Sequence, residues 1–236
     1  MSAAPAVSLA FFDTARRRYG TARAGVTLLF EDRTPIAIAQ GPEIAERDGG
    51  YRAWLEGRLE LELSPLCEPV SLAGERSRVC HVSGTVEGSA IDCLGTMTET
   101  LTPPVWAELD ASRAVSAIFT EGHTVLARAR RPRGALGHGQ ELVSAAMIAA
   151  GDAVGVEDAR ISTVYDGDGR QRSAGVELWL PGEDFPRRLS GEVIAGTTLE
   201  LPGLEVNAAV FAWRMDAREG VGAYDVTVRS EPPAAA

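Results

Sequence analysis

The sequence contains no lysine, because all 23 of its basic residues are arginine. Schiff-base enzymes and pyridoxal phosphate enzymes both need a lysine amine to form a covalent bond with a carbonyl group. Phosphate-loop NTPases and protein kinases need a lysine to hold nucleotide phosphates. The absence of lysine therefore excludes these four classes of enzyme.

Several catalytic motifs are also absent. There is no GxSxG nucleophile elbow, no HExxH zinc motif and no GxGxxG between a strand and a helix. The three histidines, His81, His123 and His138, are too widely scattered for the spacing of a zinc site. The sequence therefore predicts neither a metal nor an organic cofactor.

Cysteines are few, and the charge is strongly acidic. Cys67, Cys80 and Cys93 make an odd number without a CxxC pair, which favours reduced thiols and a cytoplasmic protein. Residues 1–10 show no signal-peptide pattern, and no apolar run reaches the roughly 18 residues of a membrane span. A net charge of −10 disfavours nucleic acid and anionic membrane surfaces as partners.

Alternation of apolar and polar residues is the dominant pattern. In Arg58–Leu63 three leucines alternate with three charged residues, which is typical of a half-buried antiparallel strand. Glycine-containing turns separate further strands into predicted hairpins. These hairpins join Val79–Val86 to Ser89–Leu94, Ala114–Phe119 to Thr124–Ala129, and Arg160–Tyr165 to Arg172–Leu180.

The fold class predicted is all-β, an antiparallel barrel with few short helices. Residues 1–236 suit one β unit, because β barrels and sandwiches often run to roughly 200–250 residues. A sub-division into residues 1–130 and 139–230 is the alternative, joined by the Pro-, Gly- and Arg-rich loop 130–139. Pro42–Arg47 and Val105–Leu109 are helical candidates, and Gln140–Ala149 fits a helix or a strand equally. The apolar segment Val206–Met215 is expected at the centre of a sheet.

Carboxylates and one histidine are the candidate catalytic residues. His138 and Glu141 follow the central loop and can act as acid and base, unless His138 is an ordinary loop residue. Glu177 shares a strand face with Trp179, where apolar surroundings would raise the pKa of the acid; a sandwich surface is the alternative. Glu99 follows a glycine-containing strand and faces either inward or to solvent.

Aromatic and arginine side chains near the C-terminus are the candidate ligand contacts. Trp213 and Arg214 are neighbours on an apolar strand, so one of them faces the interior. An interior arginine needs a carboxylate partner. Trp213 packs in the core or contacts a ligand. Trp179, on an earlier strand, is a further candidate ligand contact.

Two sequence blocks carry a resemblance to a known family. The first is Val82–Gly88, continuing to Gly95 and Glu99; the second is Phe211–Asp216, followed by Gly220-x-Gly222-x-Tyr224. From about residue 60 onward, the chain resembles lipocalin-like proteins related to carotenoid 1,2-hydratase (hydroxyneurosporene synthase) and actinobacterial relatives. The segment Gly95–Glu99 stands where many relatives carry an Asp- and His-rich segment, so no catalytic residue is carried over.

The resemblance implies a β-barrel pocket for a hydrophobic small molecule, such as an isoprenoid or a polyketide. It also implies cofactor-free acid–base chemistry, as in a cyclase, a hydratase or an isomerase. Tryptophan and tyrosine walls, with Tyr224 among them, would exclude water or stabilise a cation. Two alternatives stay open: a non-catalytic carrier of a hydrophobic ligand, and an interaction module. Assembly as a homodimer is a further expectation.

Overall fold

The structure is a computed structural model that describes residues 5–230, apart from the side chain of His138. Within that range it contains nineteen β-strands and two 3-10 turns, Trp106–Glu108 and His138–Gln140. The first ten strands are β1 Ala6–Asp13, β2 Arg18–Arg23, β3 Val26–Glu31, β4 Thr34–Ile38, β5 Glu43–Arg47, β6 Gly50–Leu55, β7 Leu59–Pro65, β8 Val70–Leu72, β9 Glu75–Val86 and β10 Ser89–Thr100. The other nine are β11 Leu109–Thr120, β12 His123–Pro132, β13 Leu142–Ala149, β14 Asp152–Gly155, β15 Asp158–Tyr165, β16 Gln171–Trp179, β17 Arg187–Leu201, β18 Leu204–Met215 and β19 Arg218–Arg229.

These strands form two antiparallel sheets. The first sheet has the order β4-β3-β2-β1-β10-β9-β7-β6-β5, with β8 paired to β9. The second sheet has the order β14-β13-β12-β11-β19-β18-β17-β16-β15. The all-β prediction is therefore confirmed, and each sheet is a curled half-barrel.

Long-range side-chain contacts show how strongly each sheet curls. Tyr51 on β6 contacts Glu99 on β10, although these strands are three strand spacings apart, about 14 Å in a flat sheet. In the second sheet, Arg113 on β11 reaches the carbonyl of Ile161 on β15, five spacings away and about 24 Å in a flat sheet. Each sheet therefore wraps around its own interior.

The predicted alternation and hairpins are confirmed. Leu59, Leu61 and Leu63 on β7 are buried, while Glu60 and Glu62 between them are exposed. The three predicted hairpins are the pairs β9–β10, β11–β12 and β15–β16. The segment Val206–Met215 lies in β18, between β17 and β19, as its apolar composition indicates.

Some helical expectations were wrong. Pro42–Arg47 is not helical, because Glu43–Arg47 pairs residue by residue with β6, and strand pairing overrides a weak helix propensity. For Gln140–Ala149 the strand alternative is confirmed from Leu142 onward, and Ala146, Met147 and Ile148 are all buried. The predicted helix Val105–Leu109 is reduced to a 3-10 turn, Trp106–Glu108.

The chain passes from the first sheet to the second over residues 101–108. Loop 130–139, the expected boundary of the sub-division, instead connects β12 to β13 within the second sheet. A Gly- and Pro-rich composition marks both linkers and loops, so the composition does not distinguish them.

Two compact units make up the chain. One comprises residues up to Thr102 with Ile118–Thr124 and Ile148–Ala153. The other comprises Pro103–Ala117, Val125–Met147 and the residues from Val154 onward. Among the described residues, no helix has the length and apolar character needed to cross a membrane.

Candidate functional site

A carboxylate, a tyrosine and two arginines meet inside the first sheet. Glu99 is only 6% exposed, and the phenol of Tyr51 donates a hydrogen bond to its Oε1 at 3.1 Å. Arg76 Nε donates to Oε2 of the same carboxylate at 2.6 Å. Arg78 Nη1 donates to the Tyr51 phenol oxygen at 3.4 Å. We call Glu99, Tyr51, Arg76 and Arg78 the Glu99 group.

The strand register explains why these residues meet. In the β9–β10 ladder Glu99 lies opposite Arg76, and Met97 lies opposite Arg78. Side chains two residues apart on a strand share a face, so both arginines lie on the face that carries buried Val82. The curl of the sheet then brings Tyr51 from β6 onto Glu99. The result is a polar group beside an apolar interior.

Burial raises the pKa of Tyr51, and its hydrogen bond to Glu99 raises it further, while the charge of Arg78 acts in the opposite direction. Tyr51 therefore keeps its proton at neutral pH. The Arg78 guanidinium carbon also lies 5.9 Å from the centroid of the Tyr51 ring, within the range of a cation–π contact.

A second group of the same residue types lies inside the second sheet. Arg113 forms an ion pair with Glu141, and the two side chains are 3% and 2% exposed. The Arg113 guanidinium also donates to Thr163 Oγ1 at 3.2 Å, to the Ile161 carbonyl at 3.1 Å and to the Tyr224 phenol at 3.3 Å. We call Arg113, Glu141, Thr163 and Tyr224 the Arg113 group.

Tyr224 joins this group to the core of the second sheet. Its hydroxyl also forms a hydrogen bond with Thr163, and burial raises the pKa of the phenol, with the charge of Arg113 opposing that shift. Its backbone carbonyl accepts a bond from Gln171 Nε2 at 3.0 Å, and the same nitrogen donates to the Asn207 carbonyl at 2.9 Å. Tyr224 is therefore held at both ends.

Trp213 lies in an aromatic core rather than at the surface. Its side chain is fully buried and stacks on Phe211, with ring centroids 5.3 Å apart. Phe211 in turn meets Tyr224 edge to face at 5.4 Å. Gly191 leaves room for the indole, because a Cβ on this glycine would lie 2.5 Å from the Trp213 ring. Of the pair Trp213 and Arg214, Trp213 is the interior residue.

Three further candidates lie outside both groups. Glu177 accepts a bond from Arg188 at 2.9 Å, and Trp179 lies under the Arg160 guanidinium at 4.8 Å. Both side chains lie on the face of β16 opposite the fully buried Val176 and Leu178. The side chain of Arg214 is 74% exposed and pairs with Glu219 at 3.4 Å.

The structure therefore brings only some of the candidates together. Glu141 and Tyr224 belong to one group, and Glu99 belongs to the other. The backbone of His138 lies in the 3-10 turn before β13, and its side chain lies outside the described part of the structure. A catalytic or ligand-binding role for each of these residues stays a prediction.

Sequence reasoning missed the tyrosine and arginine partners of the carboxylates. Arg76 and Arg78 take inward positions of an alternating strand that continues to buried Cys80 and Val82. Arg113 likewise interrupts the buried alternation of β11. A charged residue at the inward phase of an alternating strand was the available signal, because it needs a partner there. In the part of the chain described, no three His, Cys, Asp or Glu side chains form a group that could hold a metal ion.

Comparison with known proteins gives matches by structure alone. No family model matches the sequence, and no curated protein matches it. CghA in complex with Sch210972 superposes with a TM-score of 0.62 at 12% identity, over 96% of this chain and 89% of that chain. The chain therefore shares the fold of CghA.

Two further solved structures have the same lipocalin-like fold. Kievitone hydratase from Nectria haematococca superposes with a TM-score of 0.62 at 10% identity, over 96% of this chain and 89% of that chain. An AttH-like protein from Nitrosomonas europaea superposes with a TM-score of 0.61 at 12% identity, over 96% and 93%. The resemblance read from the sequence is thus confirmed at the level of the fold.

Proposed function

We propose that this protein is a cofactor-free enzyme that converts a hydrophobic small molecule by proton transfer, as a cyclase, a hydratase or an isomerase does. The observation that carries the proposal is the hydrogen bond from the Tyr51 phenol to the Glu99 carboxylate, inside an apolar half-barrel. Proton transfer between positioned side chains and a bound substrate accelerates such reactions by typically 10²–10⁴-fold.

The two residues suit a proton relay. Arg76 donates a hydrogen bond to one oxygen of Glu99 and leaves the other oxygen bonded to the Tyr51 phenol. The Tyr51 phenol would connect Glu99 to the reacting group of a bound substrate. A substrate proton can pass to the phenol oxygen while the phenol proton passes to Glu99, and the reverse transfer returns it. The relay therefore needs no metal or organic cofactor.

Access favours the Glu99 group over the Arg113 group as the reactive site. The Arg76 side chain is 39% exposed, whereas Arg113 and Glu141 are nearly inaccessible. Glu99 and Tyr51 are themselves only 6% exposed, so a substrate would reach them past the partly exposed Arg76 side chain. The fold of kievitone hydratase and of CghA, which was crystallised with Sch210972, supports conversion of a small molecule.

The test is turnover of small-molecule extracts by matched variants. Purified wild-type protein is incubated with isoprenoid and polyketide fractions, and substrate loss and product gain are followed by liquid chromatography and mass spectrometry. We expect Tyr51→Phe and Glu99→Gln to lower the rate by about 10²-fold or more, because each interrupts the relay. Arg170→Gln, which removes an exposed ion pair with Asp168 in the turn between β15 and β16, serves as the control.

Two outcomes would contradict the proposal. Tyr51→Phe and Glu99→Gln variants that turn the substrate over at the wild-type rate would show that the relay is not used. A ligand that binds the wild-type protein and is recovered unchanged would favour the carrier alternative.

A further inference from the structure

We infer that Arg78 is an anion-recognition residue of the Glu99 group. The substrate or ligand is then an amphipathic molecule with a carboxylate at one end of an apolar body. This inference rests on the proposed function, because it names the class of molecule that the same site takes.

The guanidinium of Arg78 lacks a carboxylate partner. Among the described residues no Asp or Glu oxygen lies within 4.0 Å of it, and its buried Nε has no hydrogen-bond partner. Its Nη1 contacts the Tyr51 phenol at 3.4 Å, which is long for a hydrogen bond. A guanidinium is always charged, and a half-buried charge without a counterion is costly. The site therefore favours an added anion.

Neighbouring acids do not fill this role. Glu99 is held by Arg76 through Oε2 and by Tyr51 through Oε1. Glu46 lies near enough to influence the Tyr51 phenol, but Glu46 is exposed. Acidic residues exceed basic ones by ten in this chain, 33 against 23, so the unmatched arginine does not result from a shortage of carboxylates.

The side chains around Arg78 indicate the chemical character of the rest of the ligand. Met97 lies opposite it in the ladder, and Cys80 and Val82 follow on the same face of β9. The ring of Tyr51 covers it from one side. These three apolar side chains are completely buried, so a ligand anion bound to the guanidinium would place its remaining atoms against them only where the neighbouring side chains move aside. A molecule with an apolar body and one acidic end suits both the guanidinium charge and these apolar neighbours.

A binding assay with two matched probes tests the inference without any turnover. Decanoate and its neutral counterpart decanamide are titrated into the full chain by calorimetry at neutral pH. We expect decanoate to bind at least about tenfold more tightly, as a charge-assisted hydrogen bond allows. We expect Arg78→Gln to lower that ratio to below about threefold and Arg78→Lys to keep part of it, while Arg170→Gln, in an exposed ion pair of the second sheet, keeps all of it.

The inference is overturned if the wild-type protein binds the two probes equally, if it binds neither, or if Arg78→Gln keeps the preference for decanoate. The wild-type comparison decides even if Arg78→Gln does not fold. The two proposals fail in different ways. A failed relay leaves turnover intact in Tyr51→Phe with the decanoate preference unchanged, whereas a failed anion site abolishes the preference with the effects on turnover unchanged.

Discussion

The two sheets hold groups of the same composition in different surroundings. Each has a carboxylate, a tyrosine and at least one arginine inside a curled antiparallel sheet. In the Glu99 group the partner arginine Arg76 is 39% exposed, and Arg78 has no carboxylate partner among the described residues. In the Arg113 group the ion pair is almost completely buried, and three further acceptors surround the guanidinium.

This difference separates a group suited to chemistry from one suited to structure. Arg113 bonds to β15 and to the chain just before β13, and so ties strands that backbone hydrogen bonds do not join. The Glu99 group is less fully satisfied and more accessible, as a site that exchanges partners with a ligand must be. Residue types alone do not reveal this, since both groups contain them.

The largest expected effect is on stability, in the Arg113 group. Arg113→Met removes the arginine from a buried ion pair with Glu141, and removing one member of such a pair typically costs about 3–5 kcal/mol. Arg76→Met should cost less, because solvent reaches that pair. Urea unfolding at neutral pH, followed by far-ultraviolet circular dichroism, measures both. Equal losses would remove the distinction between the two groups.

A double variant sharpens the same comparison. Arg113→Met combined with Glu141→Leu replaces both charges by apolar side chains, and such replacements are often neutral or stabilising. We therefore expect the double variant to unfold at a higher urea concentration than Arg113→Met alone. A double variant as unstable as the single one would mean that the bonds to Thr163 and Ile161, rather than the ion pair, account for the loss.

The strands and hairpins could be predicted from the sequence because they depend on local patterns. Alternation determines which face of β7 is buried, and glycine-containing turns position the hairpins. The strand Glu43–Arg47 could not be predicted, since only its pairing with β6 makes it a strand. The two-sheet arrangement depends on pairings between distant segments, such as β1 with β10, which no local pattern reveals.

The candidate site was predictable only in part, for the same reason. The sequence predicts Glu99 as an acid that faces either inward or to solvent, and register and curl together turn it toward Tyr51, 48 residues away in sequence. Glu141 was identified from the loop before it, yet its partner Arg113 lies 28 residues earlier. Glu177 shares its strand face with Trp179, as predicted, but this is the face opposite the buried side chains.

The two tyrosine substitutions should differ in the stability that they cost, by a smaller amount than the two arginine substitutions. Tyr224→Phe removes bonds to Arg113 and Thr163 in a fully buried site and should cost about 1–2 kcal/mol, and Tyr51→Phe about 1 kcal/mol or less. Burial raises the pKa of both phenols, so the folded protein retains these protons above pH 10 while the unfolded chain releases them. Stability should therefore fall as the pH rises above 10.

Both variants should flatten that alkaline decline, because phenylalanine has no proton to release. Tyr224→Phe should flatten it more, because Tyr224 is the more deeply buried phenol. Unfolding curves at pH 8, 10 and 11 for the wild type and both variants provide the measurement. Cys80 and Cys93, whose thiol pKa values burial raises to about 12, add the same decline to all three proteins. The comparison is contradicted if the two variants lose stability in parallel with the wild type.

The smallest expected effect lies on the outer face of β16. Glu177→Gln removes an ion pair with Arg188, whose side chain is 73% exposed, and exposed pairs contribute about 0–1 kcal/mol. The midpoint of urea unfolding should therefore hardly move, and high salt should reduce the difference further, because salt screens exposed charges. In the turnover assay, Glu177→Gln measured beside Glu99→Gln also tests whether an acid affects the rate merely because it is accessible. A rate loss in Glu177→Gln as large as in Glu99→Gln would place chemistry on the outer face of the second sheet and undo the distinction drawn from the interior groups.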